Sequence, residues 1–182
     1  MNRRTIRIRR HRESDLAVRE MSPFCAAEEL KEKLEPLREG GSRIVFTNGV
    51  FDLLHGGHID CLRAAKAEGD VLVVGLNSDN SVTRLKGPRR PLLPLVERAK
   101  IISSLEMVDF VTSFDEDTPL ELITLLRPHV LVKGGDYTPD TIVGRREVEA
   151  DGGRVVVVEM TPEASSSRII ERILQSSKAA RH

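Results

Sequence analysis

Five short runs rich in β-branched and aliphatic residues recur along this chain: RIVFTNG (43–49), VLVVGLN (71–77), VDFVTS (108–113), HVLVKGG (129–135) and RVVVVEM (154–160). Their apolar character is nearly continuous where a half-exposed strand would alternate, which is the pattern of strands buried on both faces. Such strands need cover on both sides, and the stretches between them supply it. GHIDCLRAAKAEG (57–69), LPLVERAKIISSLE (93–106), TPLELITLLRP (118–128) and SSSRIIERILQSS (165–177) repeat apolar residues at intervals of three and four, as amphipathic helices do. An earlier helix is expected from AAEELKEKLEPLREGG (26–41), with Leu30, Leu34 and Leu37 on one face and a glycine pair as its stop. The alternation predicts an α/β fold with a Rossmann-like, doubly wound, parallel five-stranded sheet flanked by helices, in a single domain. SVTRLKGPRRPLLP (81–94), with four basic residues, three prolines and one glycine, fits neither pattern and is read as a long functional or mobile loop.

Composition narrows what such a fold can do. At 182 residues and 40% hydrophobic content the chain buries one substantial core. No run reaches the roughly eighteen uninterrupted apolar residues of a membrane span, and the N-terminus has no apolar signal core, so a cytoplasmic protein without a membrane partner is expected. Cys25 and Cys61 lack CxxC spacing and read as small apolar residues, neither a disulfide framework nor a zinc site. The zero net charge conceals an asymmetry: seven arginines face three carboxylates in residues 1–24, a balance of +4, which leaves −4 for the rest. Residues 1–24 are therefore expected to be a solvated, weakly ordered basic leader, with the working domain at 25–182. Its overall balance offers no general basic surface for nucleic acid, so any anion site is local.

In an open parallel sheet, ligands bind beyond the carboxyl ends of the strands. The residues expected there are small, polar or cationic: Asn48, Gly49, Phe51, Asp52, His55 and His58 after the first strand, and Asn77, Ser78 and Asp79 after the second. Lys133, Gly134, Gly135, Asp136 and Tyr137 follow the fourth, and residues 161–168 the fifth. This set suits a phosphate-rich ligand. In TNGVFDLLHGGHIDCL (47–62), Gly49, Gly56 and Gly57 permit close backbone approach, and a helix starting near Gly56 aims free N–H groups at an anion. His55 and His58, three apart, project on one side of the first turn and offer donors to phosphate oxygens, whose charge favours the protonated rings. Two ligands do not make a zinc site and no third histidine is well placed, so no metal is assigned to the pair. The competing reading is a histidine pair that merely satisfies a helix start. Ser165, Ser166 and Ser167, followed by Arg168, fit either a serine N-cap or a phosphate grip. Lys86 is either a cation that folds over a triphosphate or a solvated charge, and Arg89 and Arg90 are weaker candidates.

NGVFDLLHGGH resembles the signature of the cytidylyltransferase-like nucleotidyltransferases, whose hallmark H-x-G-H stands here at residues 55–58. VGLNSDNSVTRLKGPRRPLLPLVERAKII, VDFVTSFDEDTPLELI and VLVKGGDYTPDTIVG are further similar to the heptose 1-phosphate adenylyltransferases of lipopolysaccharide and surface-glycan biosynthesis, over residues 43–174. The resemblance implies transfer of AMP from ATP, with Mg²⁺, to D-glycero-β-D-manno-heptose 1-phosphate, giving ADP-heptose and pyrophosphate. It implies that His55 and His58 contact phosphates and that Lys86 approaches the reacting centre. It assigns Asn48, Gly49, Phe51, Gly57, Lys133, Asp136, Ser165, Ser166 and Ser167 to nucleotide or phosphate, and Asn77, Asp79, Arg98 and Arg168 to substrate more weakly. It also implies a homodimer of the stand-alone type, supplied by a separate kinase and phosphatase. MTPEASSSR departs from the RTxGISTT of the glycerol-3-phosphate cytidylyltransferases, with Met160 in place of the arginine, and Arg168 is the candidate to replace that charge. The alternatives are a cytidylyl- or guanylyltransferase acting on another phosphorylated polyol or sugar, a non-catalytic nucleotide-binding module, and an RNA-binding arginine tail.

Overall fold

A computed structural model describes residues 24–135, 138–159 and 166–179; the basic leader up to residue 23, Asp136 and Ser165 lie outside them. The elements run α1 (Ala27–Glu39), β1 (Ile44–Gly49), α2 (Gly56–Ala67), β2 (Val71–Asn77), α3 (Asp79–Lys86), α4 (Leu95–Ser103), β3 (Phe110–Phe114), α5 (Leu120–Leu126) and β4 (Val130–Gly134). A 3₁₀ turn (Pro139–Thr141), α6 (Arg145–Ala150), β5 (Arg154–Val158) and α7 (Ser166–Ala179) complete the order. All five strands are parallel, in the order β3-β2-β1-β4-β5. The chain therefore winds outward from β1 through β2 to β3, then crosses to the other side for β4 and β5. The order reverses between β1 and β4, and the carboxyl ends of these strands open the crevice where such folds take ligands.

Alternate residues of the strands feed two cores. Ile44, Phe46, Val71, Val73, Phe110 and Leu131 face Leu30 and Leu34 of α1 and Leu122, Ile123 and Leu126 of α5. Val45, Leu72, Val74, Leu76, Val130 and Val132 face Leu62 and Ala65 of α2 and Ala99 and Ile102 of α4. Each fully buried Leu, Ile or Phe contributes roughly 1.5–3 kcal/mol, so these two layers hold the helices against the sheet. Arg38 of α1 joins the two helices of the first layer at the end of α5. Its guanidinium donates to the carbonyls of Leu126 (2.7 Å) and Arg127 (3.1 Å), which α5 cannot satisfy within itself. At the β3 edge, the N–H of Cys25 donates to Val111 O (3.1 Å) and Phe24 forms a parallel bridge with Val111.

The structure corrects the reading of residues 81–94 as one loop, because its first half lies in α3. Ser78 caps that helix, its hydroxyl accepting from the Ser81 N–H at 3.0 Å, while Ser81 and Val82 are buried as its anchor. The cap precedes the segment read as a loop, and one buried apolar residue among charged ones leaves almost no periodic signal. Lys86 consequently ends a helix, and the loop proper is 87–94. Among the described residues no helix is long and apolar enough to cross a membrane.

Candidate active site

At the exit of β1, Phe51 adopts a left-handed conformation (φ 48°), which is uncommon for a bulky residue and turns the chain sharply. Its ring is buried and lies 5.0 Å from the His58 ring, tilted by 50°. Phe51 therefore packs beside the histidine ring in addition to any nucleotide contact expected of it. Gly49 has a structural reason as well, since a Cβ there would stand 2.9 Å from Phe51 Cε2. At Gly56 a Cβ would meet nothing within 4 Å, so the first turn of α2 is open on that side, and its leading N–H groups have no acceptor within the helix. Gly57, next in that turn, is buried.

His55 stands at the N-cap of α2 in an extended conformation, and its carbonyl accepts from the N–H of His58 at 3.0 Å. Its side chain makes no capping bond, which removes the reading of these histidines as a helix start. The two rings stack, with centroids 3.8 Å apart and planes 23° apart. Nδ1 of each is buried without a hydrogen-bond partner among the described residues. An orphaned buried polar atom costs about 1–3 kcal/mol, which a purely structural pair does not recover. Burial holds the His55 pKa below its ordinary value, and burial, then His55, then Lys86 bring His58 to about 4. Burial thus favours the neutral rings, whereas a neighbouring anion favours the protonated form. A neutral imidazole with its proton on Nε2 still offers a donor.

Lys86, at the end of α3, shares this field. Its pKa is lowered by burial first and Arg90 next, with Asp52 acting in the opposite direction. Across the switch point, the Lys133 ammonium donates to Asn48 Oδ1. The β1–β4 register pairs Phe46 with Leu131, so two residues on, Asn48 and Lys133 lie side by side. Burial brings the Lys133 pKa down to about 8, offset in part by Cys61. Ser166, the first residue of α7, donates to Leu53 O at 2.9 Å and so ties that helix start to the loop carrying the histidines. Ser167 and Arg168 follow in the same turn.

Of the weaker substrate candidates, Arg98 and Asn77 are buried among protein partners. Arg98 is 0% exposed, and its guanidinium donates to Leu93 O (3.0 Å), Val50 O (2.7 Å), Asn77 O (2.9 Å) and Asp79 Oδ1 (2.7 Å). It braces the exits of β1 and β2 and the entries of α3 and α4 from within, leaving no face for a substrate. Asn77 is buried too, its amide donating to Ser81 Oγ at 3.0 Å. Asp79 is committed to Arg98 through one oxygen, with its side chain 46% exposed. The sequence reading named Asp52 at this junction but assigned it no role. Its carboxylate accepts from the N–H groups of Leu92 (2.7 Å) and Leu93 (2.9 Å) and pairs with Arg90 at 2.7 Å. No local signal exposes those partners, which lie some forty residues along the chain.

A parallel sheet whose switch point carries two stacked histidines at an open helix N-terminus, with Lys86 acting on His58 from the end of α3 and Lys133 beside Asn48 on β4, has the layout of nucleotide-handling α/β proteins. Residues 46–172 match the cytidylyltransferase-like family, and the chain belongs to it. It is 56% identical over 147 residues to the bifunctional protein HldE of Syntrophotalea carbinolica, a match covering 81% of this chain and 30% of that protein. The corresponding figures for HldE of Trichlorobacter lovleyi are 49% over 168 residues, 91% of this chain and 32% of the relative. The chain spans about a third of the length of these curated relatives. Among solved structures, the lipopolysaccharide core biosynthesis protein from Thermoplasma volcanium is similar, with TM-score 0.55 and 28% identity over 66% of this chain and 98% of that one. Pantoate-β-alanine ligase from Francisella tularensis, at 16% identity and TM-score 0.54 over 79% of this chain and 69% of that one, shares the fold.

Proposed function

We propose that this chain transfers AMP from ATP to D-glycero-β-D-manno-heptose 1-phosphate, releasing pyrophosphate and forming ADP-heptose for surface-glycan assembly. The observation that carries nucleotidyl transfer is the stacked His55–His58 pair at the open start of α2, on the switch point of the sheet. The heptose acceptor is supported by the resemblance of the segments around β2, β3 and β4 to heptose 1-phosphate adenylyltransferases. Likeness to HldE proteins and to a lipopolysaccharide core biosynthesis protein points the same way.

The acceptor needs no general base, since a phosphate monoester with a second pKa of about 6 is largely dianionic near neutral pH. One of its oxygens attacks the α-phosphorus of ATP in line. The bond from that phosphorus to the oxygen bridging to the β-phosphate breaks, and pyrophosphate leaves with the electron pair. The protein supplies alignment and positive potential. His55 and His58 donate to oxygens that gain charge, the first N–H groups of α2 with Gly56 and Gly57 take a phosphate, and Lys86 reaches in from the end of α3. Asn48, Lys133, Asp136, Ser165, Ser166, Ser167 and Arg168 complete the polar lining in this proposal. Mg²⁺ enters this proposal with ATP, as the substrate MgATP. The working unit is residues 25–182 with a basic leader, acting in the cytoplasm as a homodimer.

Pyrophosphate release over a panel of nucleoside triphosphates against sugar and polyol phosphates tests this. Release with ATP and heptose 1-phosphate is expected. Release only with CTP and glycerol 3-phosphate would keep the chemistry and overturn the acceptor, and silence with every pair would make the chain a nucleotide-binding module.

A further inference from the structure

Asp52 is 2% exposed, three residues before His55, at the corner that Phe51 turns. A carboxylate buried there is costly unless it is paired and hydrogen-bonded. Its two oxygens do different things. Oδ1 accepts the N–H groups of Leu92 and Leu93 at 2.7 and 2.9 Å, fixing the far end of the 87–94 loop. Oδ2 stands 2.7 Å from Arg90 Nε, yet both atoms are buried and neither makes a hydrogen bond of proper geometry. That contact is held by charge. Arg90 and Asp52 in turn are the two charges that act on the Lys86 ammonium, one repelling and one attracting.

We propose that Asp52 is a positioning residue for nucleotidyl transfer: its carboxylate ties the loop bearing the histidine pair to the loop following Lys86, and by engaging Arg90 it holds the Lys86 ammonium where it meets the phosphates. Arg98 already welds the neighbouring backbone segments together, so the distinctive contribution of Asp52 is a buried charge paired with Arg90 and acting on Lys86. The proposal rests on the reading of Lys86 as a group that contacts the triphosphate.

The test is a double-mutant cycle with Asp52→Asn and Lys86→Ala, measuring kcat and KM for ATP by pyrophosphate release with heptose 1-phosphate, and Tm by thermal melts. The amide oxygen introduced by Asp52→Asn still accepts the two N–H groups while the charge is gone. Asp52→Asn is expected to lower kcat about tenfold in the wild-type background and less than about twofold when Lys86 is already replaced by alanine, the signature of coupled residues. An equal factor in both backgrounds, or a fall in Tm with kcat unchanged, would overturn the proposal and leave Asp52 as a purely structural acid. Full turnover in Lys86→Ala alone would remove the reading of Lys86 on which it depends, and is distinguishable from the other outcomes. If Asp52→Asn does not fold, Arg90→Gln breaks the same charge contact from the other side, and the same non-additivity with Lys86→Ala is required of it.

Discussion

Replacing Arg98 by methionine tests the division between scaffold and site most directly. The guanidinium makes four bonds, three of them to main-chain carbonyls, from a side chain with no exposure. Methionine fills most of the volume and satisfies none of the acceptors. Each buried orphan costs about 1–3 kcal/mol, and breaking a buried ion pair by removing one partner costs about 3–5 kcal/mol. Asp79 is nearly half exposed and rehydrates, so the contributions do not sum, and about 3–5 kcal/mol is the expected loss. For a domain of this size each kcal/mol lowers Tm by about 2–4 °C, which predicts a fall of about 6–20 °C. Circular-dichroism melts measure it, and pyrophosphate release well below the new transition measures KM, expected to stay within about twofold. A variant that melts within about 2 °C of wild type but loses affinity for the sugar phosphate would put the guanidinium on the substrate and refute the bracing role.

Alanine at His55 or His58 is expected to lower turnover by about 10²–10³ with Tm nearly unchanged, because each ring contributes a donor and neither caps the helix; steady-state kinetics beside melts decide it, and retained turnover with damaged stability would reverse the assignment. Gly49→Ala pushes a Cβ to 2.9 Å from the buried Phe51 ring that supports His58, so it should cost about 1–3 kcal/mol of stability together with activity. Gly56→Ala, whose Cβ enters open space, should leave Tm in place. The acid limb of stability is also fixed in sign. His129 Nδ1 accepts the Ile44 N–H at 2.9 Å, and its pKa is depressed by burial, then Arg38, then Arg43. Its neutral form, like that of His58 with a pKa of about 4, is the folded one. The unfolded chain takes up these protons near about 6.5, so their contribution is full above that value and is lost as pH falls through the folded values. Melts from pH 7.5 down to about 4 should show a shallower acid decline in His129→Gln than in wild type, and an equal slope would discount the Ile44 contact.

Continuous apolar runs and glycine stops made the five strands and most helices legible from sequence, because burial on both faces imposes a local pattern. The histidine pair was legible for a similar reason: its residue types, spacing and place at a strand end coincide within a dozen residues. Arg98 and Asp52 were not. Their partners sit on segments brought together only by the sheet order, and an arginine in an amphipathic stretch looks the same whether its head is in water or locked among carbonyls. Gly49 misled in the opposite direction, since the space that it keeps clear is filled by Phe51, two residues on in its own chain. The start of α3 was missed because its signal is a serine cap at residue 78 and not an apolar period.

The middle position of β1 bears on how this protein can change. That strand is the centre of the five, hydrogen-bonded to β2 and to β4, and the turn that carries His55, Gly56, Gly57 and His58 follows it. The segment after β2, which runs through α3 to Lys86, hangs from a strand one place further out. Insertions or exchanges there leave the histidine turn on its strand but act on Lys86 and on the loop that Asp52 holds, so loop grafting after β2 is expected to alter turnover as well as specificity. Alterations within residues 47–58 act more directly, because the histidine pair, the Phe51 ring beside it and Asp52 all lie there.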